Sequence, residues 1–178
     1  MVGEKREAQG AQMNTRSAII TLTLSAAAFV GIVTHESYTT AAVIPTKNDR
    51  PTVGFGSTFR DDGSRVEMGD TIQPVQAVVR AASHIAKSET NLKLCVTGAL
   101  YQTEYDILVD FAYQYGEVAT CKSSMVRNIN TGKYTQACRA YTQYKYSGGF
   151  DCSIPGNRVC AGVWTRNLER QTKCLASQ

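Results

Sequence analysis

Histidine is scarce in this sequence, with only His35 and His84 among its 178 residues. Structural zinc sites use closely spaced cysteine and histidine ligands, and no two cysteines stand in a C-x-x-C arrangement. We therefore expect no metal site, and a serine–histidine triad has little support. The pair Gly54 and Gly56 lacks the third glycine of a dinucleotide fingerprint, so no cofactor is expected either.

A strong excess of one charge is also lacking. The formal net charge is +4, which is too weak to indicate nucleic-acid binding but is compatible with an anionic polymer such as a cell wall. No internal repeat or low-complexity linker divides the chain. A length of 178 residues therefore indicates one domain with a sizeable core, preceded by a leader.

Cysteine is absent from the first half of the chain, and six cysteines follow, an even number that favours an oxidising compartment. Fifteen pairings are possible in principle. Cys152 and Cys160 flank a Pro-Gly-Asn turn and predict a local bridge. A Cys121–Cys138 bridge would join two consecutive helices, and Cys95–Cys174 then follows by exclusion. No cysteine lies in the leader.

Charge is missing altogether from residues 17–34, while Lys5, Arg6 and Arg16 precede them. A membrane-spanning helix needs about 20 apolar residues, so this segment is a marginal candidate. The basic flank would keep the N-terminus in the cytoplasm. We divide the chain into a polar cytoplasmic N-terminus (1–16), a transmembrane segment (17–34) and a domain (35–178). Other interpretations of the segment are a cleaved signal peptide, a permanent anchor or an ordinary buried helix.

The rest of the chain predicts an α+β fold, a small β lobe followed by a helical lobe. Short apolar runs broken by turns over residues 42–59 predict a hairpin or meander. Helices are predicted over residues 74–87 with Asp70 or Thr71 as cap, 105–115 with a Thr103–Asp106 capping box, 123–130, 134–144 and 162–175. Apolar faces are expected at these side chains: Val75, Val78, Val79, Ala82, Ile85 and Ala86, then Leu108, Val109, Phe111, Ala112 and Tyr115, then Val163, Trp164 and Leu168.

Two acidic residues and a hydroxyl that follow the leader indicate a candidate catalytic site. Cleaving a glycosidic bond takes a proton donor near the leaving oxygen and a second carboxylate across the sugar. Glu36 directly follows the apolar segment, and Asp49 stands in a polar turn. The Thr52 hydroxyl both donates and accepts, so it suits a bound water. Gly54 and Gly56 would let a polysaccharide approach the backbone closely.

The same residues carry a resemblance. Glu36, then Asp49-x-x-Thr52-Val-Gly-Phe-Gly56, resembles the catalytic signature of the phage-type lysozymes of glycoside hydrolase family 24. The stretch Tyr105-Asp-x-Leu-Val-x-Phe-Ala-Tyr-x-x-Gly116 is similar to the central helix of that family. The stretches Ser123-Ser-Met-Val126, Gly148-Gly149 and Gly162-Val-Trp-x-Arg-x-x-Glu169 resemble its later segments. The match runs from about His35 to Cys174.

The resemblance implies a two-lobed lysozyme-like fold with a cleft between the lobes. Glu36 would be the general acid, Asp49 the second carboxylate, and Thr52 the residue that holds the attacking water. Tyr113 and Gln114 would face the cleft and, with Gly54 and Gly56, contact sugar. The expected reaction is hydrolysis of the β-1,4 bond between N-acetylmuramic acid and N-acetylglucosamine in peptidoglycan, by a monomer, for host cell lysis.

The leader resembles that of signal-anchor-release endolysins in the same family. The resemblance implies insertion by the Sec translocon, an inactive form in the inner membrane, and release to the periplasm of a Gram-negative host. While residues 17–34 lie in the bilayer, Glu36 would be pinned at its surface, away from Asp49 and Thr52. Two alternatives remain: a secreted, disulfide-stabilised module that binds cell-wall glycan without cutting it, and a lysozyme with a cleaved signal.

Overall fold

The computed structural model describes residues 15–45 and 49–178, and it confirms an α+β architecture with a small sheet and a mostly helical body. The elements of the described ranges, apart from two 3-10 turns, are α1 (Ala26–Glu36), β1 (Thr39–Val43), β2 (Thr52–Gly54), α2 (Pro74–Cys95), α3 (Gln102–Tyr115), α4 (Glu117–Cys121), α5 (Ser124–Asn130), α6 (Tyr134–Ala140), β3 (Tyr146–Ser147), β4 (Phe150–Asp151) and α7 (Ala161–Ala176).

The predicted hairpin forms the small β lobe, although it starts three residues earlier than expected. Strands β1 and β2 pair antiparallel, with Thr39 opposite Gly54 and Val43 opposite Thr52. Residues 46–48, which belong to the predicted hairpin, lie outside the described residues. The lobe has its own small core, formed by Ala42, Val53, Val66, Ile72 and Ala77. This core holds the sheet against the first turn of α2.

Helix α2 starts with Pro74 in its first turn, as predicted, but it extends to Cys95 rather than Lys87. The N-terminal cap is Gln73, so the predicted caps Asp70 and Thr71 were wrong. Asp70 instead accepts two hydrogen bonds from the guanidinium of Arg60, at 2.7 and 2.9 Å. An ion pair with an arginine satisfies both carboxylate oxygens better than a single backbone N–H would.

The predicted apolar face of α2 was partly wrong. The exposed fractions of Val75, Val78 and Val79 are 75%, 40% and 60%. The buried stripe runs instead through Ala77, Ala81, Ile85, Ser88 and Leu92. The small Ala77 belongs there because the Gly54 backbone packs against it: a Cβ built at Gly54 would lie 3.0 Å from the Ala77 Cβ. Close approach of the Gly54 backbone accounts for Ala77 at the start of this stripe, whereas Ile85 and Leu92 pack in the main hydrophobic core.

Helix α3 is the central core helix that the sequence predicts. Leu108, Val109, Phe111 and Ala112 are buried, as expected, and Tyr115 packs beside them while half-buried. The helix starts at Gln102, and the Thr103–Asp106 capping box was wrong. At the observed start of the helix, the Glu104 carboxylate accepts from the Tyr101 N–H at 2.8 Å. The Asp106 carboxylate instead accepts from the Ser25 N–H and hydroxyl at 3.0 and 2.7 Å.

Two of the three C-terminal helices differ from their predictions. Helix α5 has Ser123 as its cap, with the hydroxyl accepting from the Val126 N–H, and it ends at Asn130 as predicted. Helix α6 ends at Ala140 and continues as a 3-10 turn to Gln143. The buried residues of α7 are Asn167, Arg170 and Cys174, whereas Val163, Trp164 and Leu168 are not buried. Polar contacts to α3 bury this face of α7.

All six cysteines form disulfides, and one of the three predicted pairs is correct. Cys152–Cys160 closes the loop before α7. The other bridges are Cys95–Cys121 and Cys138–Cys174, so the predicted Cys121–Cys138 and Cys95–Cys174 pairs were wrong. The first joins the end of α2 to α4, and the second joins α6 to α7. Helix packing brings the paired cysteines together, and their separation along the chain does not predict which of them pair.

Residues 17–34 form two short elements packed on the helical lobe. A 3-10 turn at Ile19–Thr21 is followed by α1, and Ile19, Leu22 and Ile32 are buried in the main core with residues of α2 and α3. Among residues 15–45 and 49–178, no helix is both long and apolar enough to cross a bilayer. Most of the predicted cytoplasmic segment, residues 1–14, lies outside the described residues.

Candidate active site

Glu36 is the last residue of α1, and one local feature marks each end of that helix. The Ser25 hydroxyl caps its start by accepting from the Ala28 N–H at 3.1 Å. Ser37 ends it with φ 56°, an uncommon left-handed value for a residue with a side chain. The chain turns into β1 directly after Glu36, whose side chain is 23% exposed. The carboxylate therefore sits where the helical lobe meets the β lobe.

An ion pair holds the Glu36 carboxylate. Arg166 of α7 donates from Nη1 to Glu36 Oε1 at 2.7 Å and from Nη2 to Asp110 Oδ1 at 2.6 Å. One guanidinium thus joins α1, α3 and α7, and its side chain is only 10% exposed. Because the guanidinium is planar, two bonded carboxylates leave it little freedom to rotate. Arg166 therefore fixes the position of Glu36 Oε1.

Asp110 anchors this network from the central helix. Its second oxygen, Oδ2, accepts from Arg170 Nε at 2.6 Å, so it bridges two arginines one turn apart on α7. Burial by itself would raise the pKa of the Asp110 carboxyl. The charges and hydrogen bonds of Arg170 and Arg166 outweigh burial and hold that pKa below its usual range. Asp110 is therefore ionised at neutral pH and keeps both arginines in place.

The other Glu36 oxygen faces the glycine turn of the β lobe. A Cβ built at Gly56 would lie 3.1 Å from Glu36 Oε2. Gly54 and Gly56 both have positive φ, 68° and 75°, a backbone region that glycine adopts without strain. The glycines therefore serve close packing, with Gly54 against α2 and Gly56 against the carboxylate. Oε2 is the Glu36 oxygen that Arg166 leaves unbonded.

Tyr113 and Gln114 lie near this centre, but their polar atoms contact protein. The Tyr113 hydroxyl donates to the Phe55 carbonyl at 2.7 Å, and its ring packs on His84 with centroids 5.7 Å apart. Burial, and then the negative charge of Glu36, raise the pKa of this hydroxyl. Gln114 Oε1 accepts from Arg170 Nη1 at 2.8 Å. Both residues support the site from α3, and their predicted contact with sugar stays a prediction.

Asp49 and Thr52 lie at the other end of the β1–β2 ladder. Asp49 is exposed, and its Oδ1 accepts from the Arg50 N–H at 2.8 Å. Thr52 is the first residue of β2, and its hydroxyl donates to the Val43 carbonyl at 3.5 Å. Glu36 instead lies at the Gly54 end, since it precedes Thr39 by three residues and Thr39 pairs with Gly54. The roles expected of Asp49 and Thr52 stay predictions.

A cleft of about 680 Å³ lies beside this centre, between the β lobe and α2. Ser57, the residue after Gly56, and His84, the residue under the Tyr113 ring, both line it. The remaining wall is both apolar and charged, and includes Phe59, Val75, Val79, Arg80, Lys87 and Glu117. A second cavity of about 290 Å³ lies between α1, α3 and α7, with Asp110 and Arg166 in its lining.

Three residues of this centre were not predicted as site residues: Asp110, Arg170 and Arg166, although Arg166 stands in the motif that resembles the closing segment of the family. A signal for them was present. Asp110 is the acid in the middle of a helix predicted to be apolar nearly all round, and a buried carboxylate needs a partner. Arg166 and Arg170 stand four residues apart on α7, so they share one face of that helix. The sequence did not show that this face meets α3.

Among the described residues, no group of three or more histidine, cysteine, aspartate or glutamate side chains is arranged to hold a metal ion.

Comparisons with known proteins show the family and the fold of this chain. The profile of the phage lysozyme family matches residues 33–169. The endolysin of Salmonella phage P22 is 29% identical over 98 residues, which cover 55% of this chain and 67% of that protein.

Solved structures show the same fold. An endolysin from Escherichia coli O157:H7 phage FAHEc1 superposes with a TM-score of 0.73 at 22% identity, covering 92% of this chain and 98% of the other. A variant of P22 lysozyme gives 0.69 at 22% identity, with 87% and 99% covered. The family match spans more than half of the chain and includes Glu36, Gly56 and Arg166. This chain therefore belongs to the phage lysozyme family, and it is a peptidoglycan-hydrolysing glycoside hydrolase of the endolysin type.

Proposed function

We propose that the chain hydrolyses the β-1,4 bond between N-acetylmuramic acid and N-acetylglucosamine, with Glu36 as the proton donor. The observation that carries this proposal is the environment of the Glu36 carboxylate. Arg166 binds Oε1 and fixes the group, while Oε2 faces the backbone of Gly56, whose neighbour Ser57 lines the cleft. A carboxyl held in a fixed position, with one oxygen that the arginine does not bind, suits a general acid.

Asp49 and Thr52 complete the proposed site. Asp49 is exposed to solvent. As the second carboxylate it would stand across the sugar from Glu36, and Thr52 would hold the attacking water. Inversion at the anomeric carbon requires room for that water, which corresponds to carboxyl groups about 6.5–9.5 Å apart. The anomer released first, followed by NMR, tests this assignment.

The test of the reaction compares three proteins on outer-membrane-permeabilised Gram-negative cells. Wild type is expected to clear the suspension, and Glu36→Gln, which keeps the shape but carries no transferable proton, is expected to lose clearing. Glu67→Gln serves as the matched control, because Glu67 is an exposed acid of the β lobe, 76% exposed. Mass spectrometry of the products should show reducing-end N-acetylmuramic acid. Tight binding without clearing by wild type would favour a non-catalytic glycan-binding module.

We also propose that residues 17–34 act as a releasable signal anchor, inserted through the Sec translocon with the N-terminus in the cytoplasm. The protein would wait in the inner membrane and then enter the periplasm of a Gram-negative host as a monomer. Two features support this: residues 17–34 carry no charge, and α1 contains both the last part of that segment and Glu36. Moving the segment must therefore move the proposed proton donor.

The anchor proposal has its own test. A variant in which the leader is made unable to leave the membrane should digest cell walls far more slowly than the released protein. Equal rates for the tethered and free forms would contradict it. Mass spectrometry of soluble and membrane-bound protein separates intact release from a cleaved signal peptide, because cleavage would remove part of residues 17–34 from the soluble form.

A further inference from the structure

We infer that Tyr113 is a positioning residue: its hydroxyl fixes the Gly54–Gly56 turn against Glu36 and does not serve to bind sugar. This inference rests on the proposed role of Glu36 as proton donor. Its basis is the hydrogen bond of 2.7 Å from the Tyr113 hydroxyl to the Phe55 carbonyl, which joins α3 of the helical lobe to the turn of the β lobe. The two residues are 58 positions apart in the chain.

The turn is held by packing on both sides of Phe55. On one side the Gly54 backbone packs on Ala77 of α2, with 3.0 Å from a built Cβ to the Ala77 Cβ. On the other side Gly56 faces Glu36 Oε2 at 3.1 Å from a built Cβ. The Phe55 ring packs on Tyr38 at 5.6 Å. The Phe55 carbonyl is thus the point at which α3 contacts the backbone between the two glycines.

Two backbone hydrogen bonds between Val53 and Ser57, at 3.0 and 3.1 Å, close this turn, so its shape is fixed locally but its distance from Glu36 is not. Packing limits how closely Gly56 approaches Glu36, but it does not prevent the turn from moving away. The hydrogen bond from Tyr113 opposes that outward movement. Tyr113 is itself well placed to do so, because its ring is supported by His84 and its hydroxyl is close enough to Glu36 for the negative charge to raise its pKa.

The consequence concerns catalysis rather than binding. Misplacing a reacting group by about 1 Å can lower a rate by about 10²-fold. If the turn moves away from Glu36, Oε2 loses its contact with Gly56. The walls of the cleft that α2 forms stay in place. The turnover number kcat should therefore fall, and KM should stay nearly constant. A residue that contacts sugar equally in ground and transition states would show the opposite pattern, a higher KM with kcat unchanged.

The experiment uses Tyr113→Phe, which keeps the ring and removes only the hydroxyl. Tyr105→Phe is the matched control, because it also removes a tyrosine hydroxyl hydrogen bond of 2.7 Å from α3, donated to Glu89 outside the site. The substrate is a preparation of soluble, uncrosslinked glycan strands. We expect Tyr113→Phe to lower kcat about 10-fold or more with KM within about twofold, and Tyr105→Phe to leave both nearly unchanged. Both variants should lose thermal stability.

A double-mutant cycle with Gly56→Ala tests whether the effect passes through the turn. The added methyl group changes the same spacing to Oε2, so the losses in kcat from Tyr113→Phe and Gly56→Ala should be strongly non-additive. Additive losses, an unchanged kcat for Tyr113→Phe, or a higher KM alone would each overturn the inference. Failure of the proposed function looks different: wild type itself would be inactive, or Glu36→Gln would be as active as wild type.

Discussion

The Arg16 guanidinium donates two hydrogen bonds to the buried carboxylate of Glu104, from Nε at 3.0 Å and from Nη2 at 2.9 Å. The same guanidinium stacks on Tyr101 and Tyr134, with 4.1 and 3.7 Å to the ring centroids. Glu104 is 4% exposed, so Arg16 neutralises a charge that water cannot reach. Arg16 directly precedes the uncharged residues 17–34, so its contacts help to hold that segment on the helical lobe.

Removing this contact should destabilise the whole chain. Arg16→Gln is expected to lower the free energy of unfolding by about 1.5–3 kcal/mol, the range for hydrogen bonds to charged groups. Arg16→Lys should recover only part of the loss, because lysine lacks the planar fork that binds both oxygens. Urea unfolding gives the values, with Arg158→Gln, at an exposed arginine, as the control. Equal stability of Arg16→Gln and Arg158→Gln would contradict this prediction.

Arg166→Lys should separate the charge of this residue from its geometry. Lysine cannot bond Glu36 and Asp110 through one planar group, so Glu36 should lose its fixed position. We expect kcat to fall by about 10²-fold, comparable with a misplacement of about 1 Å. Turbidity clearing and product analysis measure this, and Arg139→Lys, at an arginine of α6 outside the site, is the control. Full activity of Arg166→Lys would mean that charge alone suffices.

The three disulfides should contribute unequally to stability. They join residues separated by 36, 26 and 8 positions, for Cys138–Cys174, Cys95–Cys121 and Cys152–Cys160. Loop-closure entropy gives about 4, 3.5 and 2.5 kcal/mol for loops of these lengths. Paired replacement of each bridge by serine, followed by urea unfolding, should reproduce this order. A larger loss from removing the short bridge would contradict the entropic account.

Acid should weaken the Asp110 network. The pKa of Asp110 is lowered in the folded state, so its stabilising contribution is present above the unfolded pKa of about 3.9 and is lost as pH falls through the lower folded value. Melting temperatures measured between pH 5 and pH 2 should decline more steeply for wild type than for Asp110→Asn. Asp110→Asn should be less stable at neutral pH, and parallel profiles would show that other acids dominate.

The contact between the glycine turn and α2 can be tested with a pair of alanine substitutions. Gly54 and Gly63 have similar positive φ, 68° and 84°, but only Gly54 would place its Cβ against a neighbour, Ala77, at 3.0 Å. Each substitution should cost about 1–2 kcal/mol for the left-handed conformation, and Gly54→Ala should cost more through overpacking. Equal losses of stability would mean that the lobe relaxes freely.

Most local features could be predicted from the sequence because their causes are local. Pro74 and Ser123 mark helix starts through backbone chemistry that acts within one turn. The apolar residues of α3 required a buried position whatever surrounded them. The Cys152–Cys160 bridge closes a short loop, so nearness in sequence sufficed. Features of this kind depend on fewer than about ten neighbouring residues.

Apart from the helix caps, the features that were wrong or missed depend on how elements pack. Ala77 meets the Gly54 backbone, whereas Val75 and Val79 line the cleft between α2 and the β lobe. The bridges Cys95–Cys121 and Cys138–Cys174 follow from helix packing that no spacing rule encodes.

The sequence by itself determined the fold class, the family and Glu36 as the expected proton donor, because helix periodicity, turn chemistry and motif order are written in neighbouring residues. Only the tertiary structure decided what surrounds that carboxylate. Arg166 lies 130 positions away from Glu36, and Asp110 reaches the same guanidinium from a third helix. Buried charges must be paired with opposite charges, and which partners can reach them is fixed only when α1, α3 and α7 pack together.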